Sequence, residues 1–336
     1  MGFVLCFGEC LLRYAPDLGG NWLERGSIPV YLGGAEANVA AALAKWGVKV
    51  QYFSALPENY VSRQMATYLS RRGIDTSKIL YFGSRFGSYS LPIDADLKNR
   101  QVIYDREHSS FSQLAPGMID WNWALENVDW FHFSAIAPAL SENVALVCEE
   151  ALIAAQARNI KISVDLNFRN KLWQYGRQPY EIMTNLLRSC NVIMGNIWAA
   201  AVMAGAPDPG ALTENNDREF FIEHSLQSSL YIMNNFPRCR MVANTFRFER
   251  QNEIEYYATL FADQQLHTSR VRRSEVVIDK VGSGDCFMAG LILGTLEEMD
   301  FQSIVEFSTA AAFEKLFVKG DFTNKTFEMI KASAFP

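Results

Sequence analysis

The chain has 336 residues, of which 49% are hydrophobic and 20% are charged, and its formal net charge is −6. This composition is sufficient for a large α/β core, while an acidic balance without a basic stripe argues against a nucleic-acid partner. The sequence has no membrane-length apolar run and no signal peptide before the first predicted strand, so we expect a cytoplasmic protein with no membrane partner. Its six cysteines include no Cys-x-x-Cys pair and its four histidines show no metal-ligand spacing. We therefore expect reduced thiols and no metal ligands of its own.

The apolar pattern predicts alternating strands and helices along most of the chain. Strands are predicted at 3–7, 48–55, 130–134, 161–167, 192–196 and 240–244, and helices at 35–46, 62–72, 143–158, 180–188, 220–227, 285–297 and 301–317. Short connections in such an alternation indicate a mostly parallel sheet covered by helices on both faces. A hairpin is predicted at 254–261 and 265–273, followed by a short buried strand at 275–278.

Residues 79–106 depart from this alternation of strands and helices. Runs at 79–83, 87–93 and 101–106 predict antiparallel hairpin strands. With the Gly-, Pro- and aromatic-rich segment 11–32, they could form a small separate sheet, and ordinary edge strands of the main sheet are the alternative.

The segment 279–294 carries the strongest chemical signal. Gly282, Ser283 and Gly284 form a turn without bulky side chains before a predicted helix, so backbone N–H groups and the positive end of the helix dipole converge there. Such a point binds an anion, and Asp285 places a carboxylate beside it. A phosphoryl group held next to a base for an attacking hydroxyl is the minimum equipment of a small-molecule kinase. Taken alone, the turn could equally be a helix cap.

A second glycine turn lies near the amino terminus. Gly33 and Gly34 lead into an alanine-rich helix that carries Asn38 one turn in. In this order, and about 250 residues apart, the two motifs resemble the signatures of the PfkB/ribokinase family of carbohydrate kinases. The resemblance implies one kinase domain over 1–336, with a ribokinase-like three-layer α/β/α core, a mostly parallel sheet and a small β-sheet lid from about 11–32 and 79–110.

The resemblance also implies the roles of the motif residues. Asp285 is the expected catalytic base, and the backbone N–H groups of Gly282, Ser283 and Gly284 are expected to stabilise the transferring phosphoryl group. ATP and Mg²⁺ are the implied cofactors. Gly33, Gly34 and Asn38 are the implied sugar contacts.

Two arginine-bearing segments narrow the implied substrate. The run ending in Tyr104 and Arg106, and the segment 165–173 containing Arg169, resemble those of 2-keto-3-deoxygluconate kinases within the family, where arginines and a tyrosine hold a sugar-acid carboxylate. The resemblance thus implies phosphorylation of the terminal hydroxyl of 2-keto-3-deoxygluconate or a close sugar acid, with Tyr89 as a further contact. Alternatively, each arginine is a surface ion-pair residue.

For the nucleotide, the resemblance implies contacts from Asn196, the turn containing Thr245 and Arg247, Gly282, Gly284 and Ala311. The sequence departs from the family at 197–200, where acidic residues are usual, and after 240–244, where a Gly-x-x-Gly loop is usual. Metal use and the mode of ATP binding therefore stay open. The family further implies a homodimer through the lid, and a possible monovalent cation near Asp279.

Two other functions stay open at this stage. One is a fructokinase- or ribokinase-like enzyme for a neutral sugar, which would leave Arg106 and Arg169 without a carboxylate to bind. The other is a non-catalytic sugar-acid-binding pseudokinase, motivated by the altered 197–200 segment. A Walker-type nucleotide site and a Rossmann dinucleotide site are excluded because the required glycine patterns are missing.

Overall fold

The computed structural model describes residues 2–92, 102–210, 217–250 and 253–336. The strands are β1 Phe3–Phe7, β2 Leu11–Tyr14, β3 Val30–Gly33, β4 Val50–Phe53, β5 Ala55–Leu56, β6 Ile74–Asp75, β7 Leu80–Tyr81, β8 Gly87–Ser90, β9 Ile103–Asp105, β10 Val128–Ser134, β11 Lys161–Asp165, β12 Val192–Gly195, β13 Met241–Arg250, β14 Glu253–Ala262, β15 Gln265–Thr268 and β16 Arg272–Ser274. The helices are α1 Asn21–Arg25, α2 Ala35–Lys45, α3 Tyr60–Ser70, α4 Trp121–Ala124, α5 Glu142–Ala157, α6 Pro179–Leu187, α7 Ile197–Ala204, α8 Arg218–Asn235, α9 Ser283–Leu296, α10 Phe301–Lys315 and α11 Phe327–Ala334.

The main sheet follows the predicted parallel design. Its strand order is β15-β14-β13-β12-β11-β10-β1-β4-β6, with β16 also paired to β14. Pairing is parallel from β6 through β13 and antiparallel from β13 to β14 and onward. The carboxyl ends of the parallel strands therefore meet along one edge, which is where ligand sites of such folds lie.

Helices cover both faces of this sheet, as predicted. On β1, Val4 and Cys6 enter one core with α2, α9 and α10, whereas Leu5 and Phe7 enter the other with α5 and α6. Because both faces of a parallel strand are buried, its sequence is a continuous apolar run rather than an alternating one. The three-layer α/β/α prediction is confirmed. In the described part of the chain, no helix is long and apolar enough to span a bilayer.

A small separate sheet with the order β3-β2-β8-β9 confirms the second predicted sheet, with two corrections. Strand β8 pairs with β2 in parallel, not as part of an antiparallel set, because the chain crosses the main sheet between them. The run at 79–83 belongs elsewhere: Leu80–Tyr81 pairs with Ala55–Leu56. The predicted strand ends at 93 and 101 lie outside the described residues.

Two expectations in the carboxyl-terminal half are wrong. The run 275–278 is not a buried strand: Val276 and Ile278 are 66% and 50% exposed, and the pairing with β14 stops at Ser274. The turn predicted around Thr245 and Arg247 is part of β13, which continues to Arg250. It continues because Phe246, between them, stacks on Tyr257 of β14 at 4.9 Å between ring centroids.

Candidate active site

A cavity of about 580 Å³ lies between the carboxyl ends of β11 and β12, the amino end of α9 and the small sheet. Most of the residues predicted from both ends of the sequence lie in its wall. These are Gly34, Asn38, Tyr89, Tyr104, Arg106, Arg169, Asn196, Thr245, Arg247, Gly282, Ser283, Gly284 and Asp285. The fold thus brings the two glycine motifs and both arginines to one space.

Gly33 and Ala311 are the predicted site residues that do not line this cavity. A Cβ on Gly33 would lie 2.4 Å from Asp321 Oδ1, so this glycine allows a carboxylate to approach the backbone. Ala311 is 1% exposed within α10. Its neighbour Ala312 accepts a hydrogen bond from Ser283 Oγ at 2.9 Å, so this part of α10 packs directly behind the glycine turn.

The glycine turn at the start of α9 has the geometry of an anion-binding site. Gly282 caps the helix at φ 83°, a conformation that favours glycine, and a Cβ there would lie 2.4 Å from the Asp321 carbonyl oxygen. The first intrahelical bond is donated by the Cys286 N–H to Gly282 O, so the preceding N–H groups are free of the helix ladder. Among the described residues, a Cβ on Gly284 would meet only Met194 Cε, at 3.9 Å, so this side of the turn is open to the cavity.

Asp285 lies in the first turn of α9 and is 9% exposed. Asn38 Nδ2 donates to its Oδ2 at 2.6 Å, which joins the two sequence motifs directly. Burial raises the pKa of Asp285 to about 8, and the charge of the nearby Asp165 adds to the rise. Asn38 Oδ1 is buried and has no hydrogen-bond partner among the described residues, so it is an acceptor suited to a ligand hydroxyl beside the carboxylate.

Arg106 borders the cavity but is not a surface ion-pair residue. Its side chain is 7% exposed, and its Nε donates to Glu9 Oε2. Ser109 Oγ donates to the other oxygen of Glu9. Because this pairing uses the Nε side of the guanidinium, the group is held in a fixed orientation at the cavity wall. The sequence did not identify Glu9 as part of the site.

Arg169 follows β11 in the loop that the resemblance singled out. Its Nη1 donates to Phe168 O at 2.9 Å, and the side chain lines the cavity. Asp165, at the end of β11, accepts from the Asn167 N–H at 3.0 Å. Burial raises the pKa of Asp165 to about 6. Asp165 also lines the cavity but was not predicted as a site residue, although it lies in the quoted segment.

Asn196 and Thr245, two of the predicted nucleotide residues, directly follow the paired residues Gly195 and Asn244 on the neighbouring strands β12 and β13. Asn196 caps α7 by accepting from the Ala199 N–H at 2.9 Å. Thr245 Oγ1 donates to Gly195 O at 3.3 Å. Helix α7, which the sequence analysis missed, and the turn before α9 add Trp198 and Lys280 to the wall. Lys280 lies inside the motif segment 279–294, and this position in the sequence could have marked it as a site residue.

Arg13 ties the small sheet to the glycine turn. Its Nη2 lies 2.9 Å from Asp279 Oδ2, and its Nε lies 2.7 Å from Asp321 Oδ2. Asp279 Oδ2 also accepts from the Gly320 N–H at 3.0 Å. The carboxylate near which a monovalent cation was expected is therefore already paired with a guanidinium. Among the described residues, no group of three or more His, Cys, Asp or Glu side chains could hold a metal ion.

A helix amino end beside a buried carboxylate, at the carboxyl edge of the parallel strands, is the arrangement that a small-molecule kinase needs. Residues 1–225 and 256–325 match the pfkB family carbohydrate kinase, and the chain belongs to this family. It is accordingly a phosphotransferase with an alcohol group as acceptor, and the family prediction is confirmed.

Several individual proteins are similar to this chain. The solved structure of 2-dehydro-3-deoxygluconokinase from Thermotoga maritima superimposes with a TM-score of 0.88 at 30% identity, covering 100% of both chains. The 2-dehydro-3-deoxygluconokinase of Bacillus subtilis (strain 168) is 22% identical over 95% of this chain and 90% of its own. The 2-dehydro-3-deoxygalactonokinase of Haloferax volcanii is 29% identical over 170 residues, which are 51% of this chain and 53% of its own.

Proposed function

We propose that this kinase transfers the γ-phosphoryl group of ATP to the terminal hydroxyl of 2-keto-3-deoxygluconate (2-dehydro-3-deoxygluconate) or a close sugar acid. The observation that carries the proposal is the presence of Arg106 and Arg169 in the wall of the cavity that contains Asp285. A guanidinium pairs with a carboxylate through charge-assisted hydrogen bonds. The names of the three similar proteins support the same class of substrate.

The reaction uses groups that the chain itself supplies. Asp285 accepts the proton of the sugar hydroxyl as its oxygen forms a bond to the γ-phosphorus, and the bond between that phosphorus and the β–γ bridging oxygen breaks to release ADP. The N–H groups of Ser283 and Gly284 stabilise the charge on the transferring group. Asn38 orients the carboxylate through its 2.6 Å hydrogen bond and offers Oδ1 to the substrate.

The cavity also fits the proposed nucleotide and its metal. The open face of Gly284 leaves room for a phosphate at the helix end, and Asn196, Thr245 and Arg247 also line the cavity. Mg²⁺ carried by nucleotide phosphates needs only one or two protein carboxylates, with waters completing its coordination. Glu36, Asp165 and Asp285 are the carboxylates that line the cavity among the described residues. Asp285 is the proposed base, and Glu36 accepts from the Ser134 N–H at 2.8 Å, so we assign the Mg²⁺ contact to Asp165. Bound Mg²⁺ would neutralise charge on the phosphates.

Arg169→Ala tests the proposed substrate. Because a hydrogen bond to a charged group contributes about 1.5–3 kcal/mol, we expect kcat/KM for 2-keto-3-deoxygluconate to fall by roughly 10- to 150-fold. Turnover is measured by ADP release with ATP, Mg²⁺ and a panel of 2-keto-3-deoxygluconate, 2-keto-3-deoxygalactonate, gluconate, fructose and ribose. Arg106→Lys, which keeps a cation beside Glu9, should show a smaller loss on the same substrate.

Arg177→Ala is the matched control, because Arg177 forms an exposed pair with Glu181 outside the cavity. It should leave all rates unchanged. An equal loss on fructose and the sugar acid in Arg169→Ala would contradict a carboxylate contact, and turnover of the wild-type protein on neutral sugars alone would overturn the proposed substrate.

The Glu9–Arg106 ion pair gives specific support to a second candidate, a kinase of a neutral sugar. In that enzyme the charge of Arg106 would be balanced by Glu9 rather than by the substrate. Both candidates share the same chemistry at Asp285, and the substrate panel separates them.

We further propose that the outer face of the small sheet pairs with a second copy of this chain. Strand register aligns Val30, Tyr14, Ser90 and Ile103 in one row, facing away from the row of Arg13, Tyr89 and Tyr104. At its ends, Val30 is 47% exposed and Ile103 is 69% exposed. A row with exposed apolar residues at both ends, on a sheet that borders the cavity, suits a self-complementary contact about a twofold axis.

Ile103→Lys tests this assembly. We expect the wild-type protein to have the mass of a dimer by light scattering and the variant to have that of a monomer, because a lysine at the contact would be buried without a partner. Ile153→Lys on α5, where Ile153 is 61% exposed, is the control and should stay dimeric. A monomeric wild-type protein, or a dimeric Ile103→Lys, would rule the contact out.

A further inference from the structure

Lys315, the last residue of α10, places a cation behind the glycine turn of residues 282–284, which is the proposed phosphoryl-binding turn. The side chain is 0% exposed, although lysine is rarely buried without partners. A Cβ on Gly282 would lie 3.2 Å from Lys315 Cε, so the side chain is in contact with the backbone of the helix cap. It does not line the cavity, and thus does not touch the reacting groups.

The ammonium has one carbonyl oxygen as a hydrogen-bond partner and several charged groups nearby. Nζ donates to Val318 O at 2.9 Å. The carboxylates of Asp279 and Asp321 lie within electrostatic reach, as do the Cys286 thiol and the Arg13 guanidinium. Burial lowers the pKa of Lys315 from its ordinary value, and the two carboxylates oppose this effect. The two carboxylates, Asp279 and Asp321, and the two cations, Lys315 and Arg13, together carry no net charge.

The charged group around Lys315 lies where segments 278–282 and 316–321 meet beside the glycine turn. The N–H groups of Ile278 and Asp279 both donate to Leu316 O, at 2.8 and 3.1 Å. Gly320 N–H donates to Asp279 Oδ2 at 3.0 Å, closing the connection from the other end. Lys315 sits at the start of the 316–321 segment and binds a carbonyl within it. The Lys315 side chain thus bonds segment 316–321 at Val318 O and contacts segment 278–282 at Gly282.

We propose that the Lys315 ammonium is a built-in monovalent cation of this kinase: it positions the phosphoryl-binding turn, so that phosphoryl transfer needs no K⁺ or Na⁺ from solvent. The inference rests on the proposed phosphoryl transfer from ATP. Lys315 acts as a positioning residue, through the backbone of Gly282 and the segments around it. Removing the ammonium would leave the Val318 carbonyl oxygen without its cation, at a place where the charges of Asp279 and Asp321 favour a small monovalent cation.

The first test compares salts with the wild-type protein. ADP release is measured with Mg²⁺ and ATP supplied as a tetramethylammonium salt, then with added K⁺, Na⁺ or NH₄⁺ at constant ionic strength. A built-in cation predicts the same kcat in all four conditions. An activation of about tenfold or more by K⁺ would overturn the proposal.

The second test is Lys315→Met, which keeps the length of the side chain and removes its charge. We expect kcat to fall by about 10- to 100-fold, corresponding to about 1.4–2.7 kcal/mol, with KM for the sugar unchanged. Added NH₄⁺ or K⁺ should restore much of the loss. Lys331→Met, at an exposed position on α11, is the control and should behave like the wild-type protein in every salt.

Each result decides the question. Full kcat in Lys315→Met, or a loss that no monovalent cation restores, would contradict the positioning role. If the variant fails to fold, the salt comparison on the wild-type protein still decides whether an external cation is needed. Absence of turnover on every sugar would instead contradict the proposed function, and the rise in Tm caused by ATP, with and without K⁺, would then test the cation proposal alone.

Discussion

Asp285→Asn is expected to lower kcat by about 10²–10⁴-fold or more, because the amide cannot accept the proton of the attacking hydroxyl. The change keeps the shape of the side chain, and its amide oxygen can still accept the Asn38 Nδ2–H. Binding of ATP, measured by calorimetry, should therefore stay close to that of the wild-type protein. Comparable turnover in the variant would remove Asp285 from the mechanism.

The pH dependence provides an independent readout of the same residue. Burial raises the pKa of Asp285 to about 8, so kcat/KM of the wild-type protein should rise with pH and level off above about 8. The residual rate of Asp285→Asn should lack this rise.

The raised pKa of Asp285 also predicts how Asp285→Asn changes the stability of the protein, which serves as the control for folding. Since the folded-state pKa lies above that of the unfolded chain, ionisation of Asp285 opposes folding, and stability is lost as the pH rises through the folded value. The Tm of Asp285→Asn at pH 8 should thus be no lower than that of the wild-type protein. A lower Tm would mean that lost activity reflects lost structure.

Gly284→Ala is expected to cause the second large loss, about 10²–10³-fold in kcat, comparable to removing one donor of an oxyanion hole. The ligand-free protein has space for the new methyl group, because its nearest neighbour would be Met194 Cε at 3.9 Å. That space lies on the cavity side of the turn, where the phosphoryl group is proposed to bind. The methyl group would therefore displace the phosphoryl group from the N–H donors.

Stability separates this effect from misfolding. Alanine is favoured over glycine within a helix by about 1 kcal/mol, so Gly284→Ala should melt at or above the temperature of the wild-type protein. A stable variant with full turnover would show that the phosphoryl group does not approach Gly284. A stable variant with weakened ATP binding and intact binding of the sugar acid would agree with the proposal.

Local patterns were enough to predict the features that depend on local sequence. Strand β1 was predicted with its observed bounds, Phe3–Phe7, since it is a short apolar run with a glycine directly after it. The start of α9 followed from glycines that only a tight helix entry explains. Both features depend on just a few consecutive residues.

Features that depend on distant partners were not predictable. The run 275–278 is rich in β-branched residues, but no neighbouring strand pairs with it among the described residues, and it stays exposed. Glu9 and Arg106 are 97 positions apart, and nothing near either residue indicates their ion pair. Lys315 ends a helix with a polar residue, as many exposed helices do, and only the tertiary packing buries it.

The double ion pair of Arg13 has a consequence for how the two ligands influence one another. Arg13 and Tyr89 lie side by side on the inner face of the small sheet, and Arg13 also holds the acids on either side of the glycine turn. A sugar bound against this face would therefore also restrain the glycine turn, where the nucleotide phosphate is proposed to bind. By thermodynamic reciprocity, whatever factor the sugar adds to the affinity for ATP, ATP adds to the affinity for the sugar.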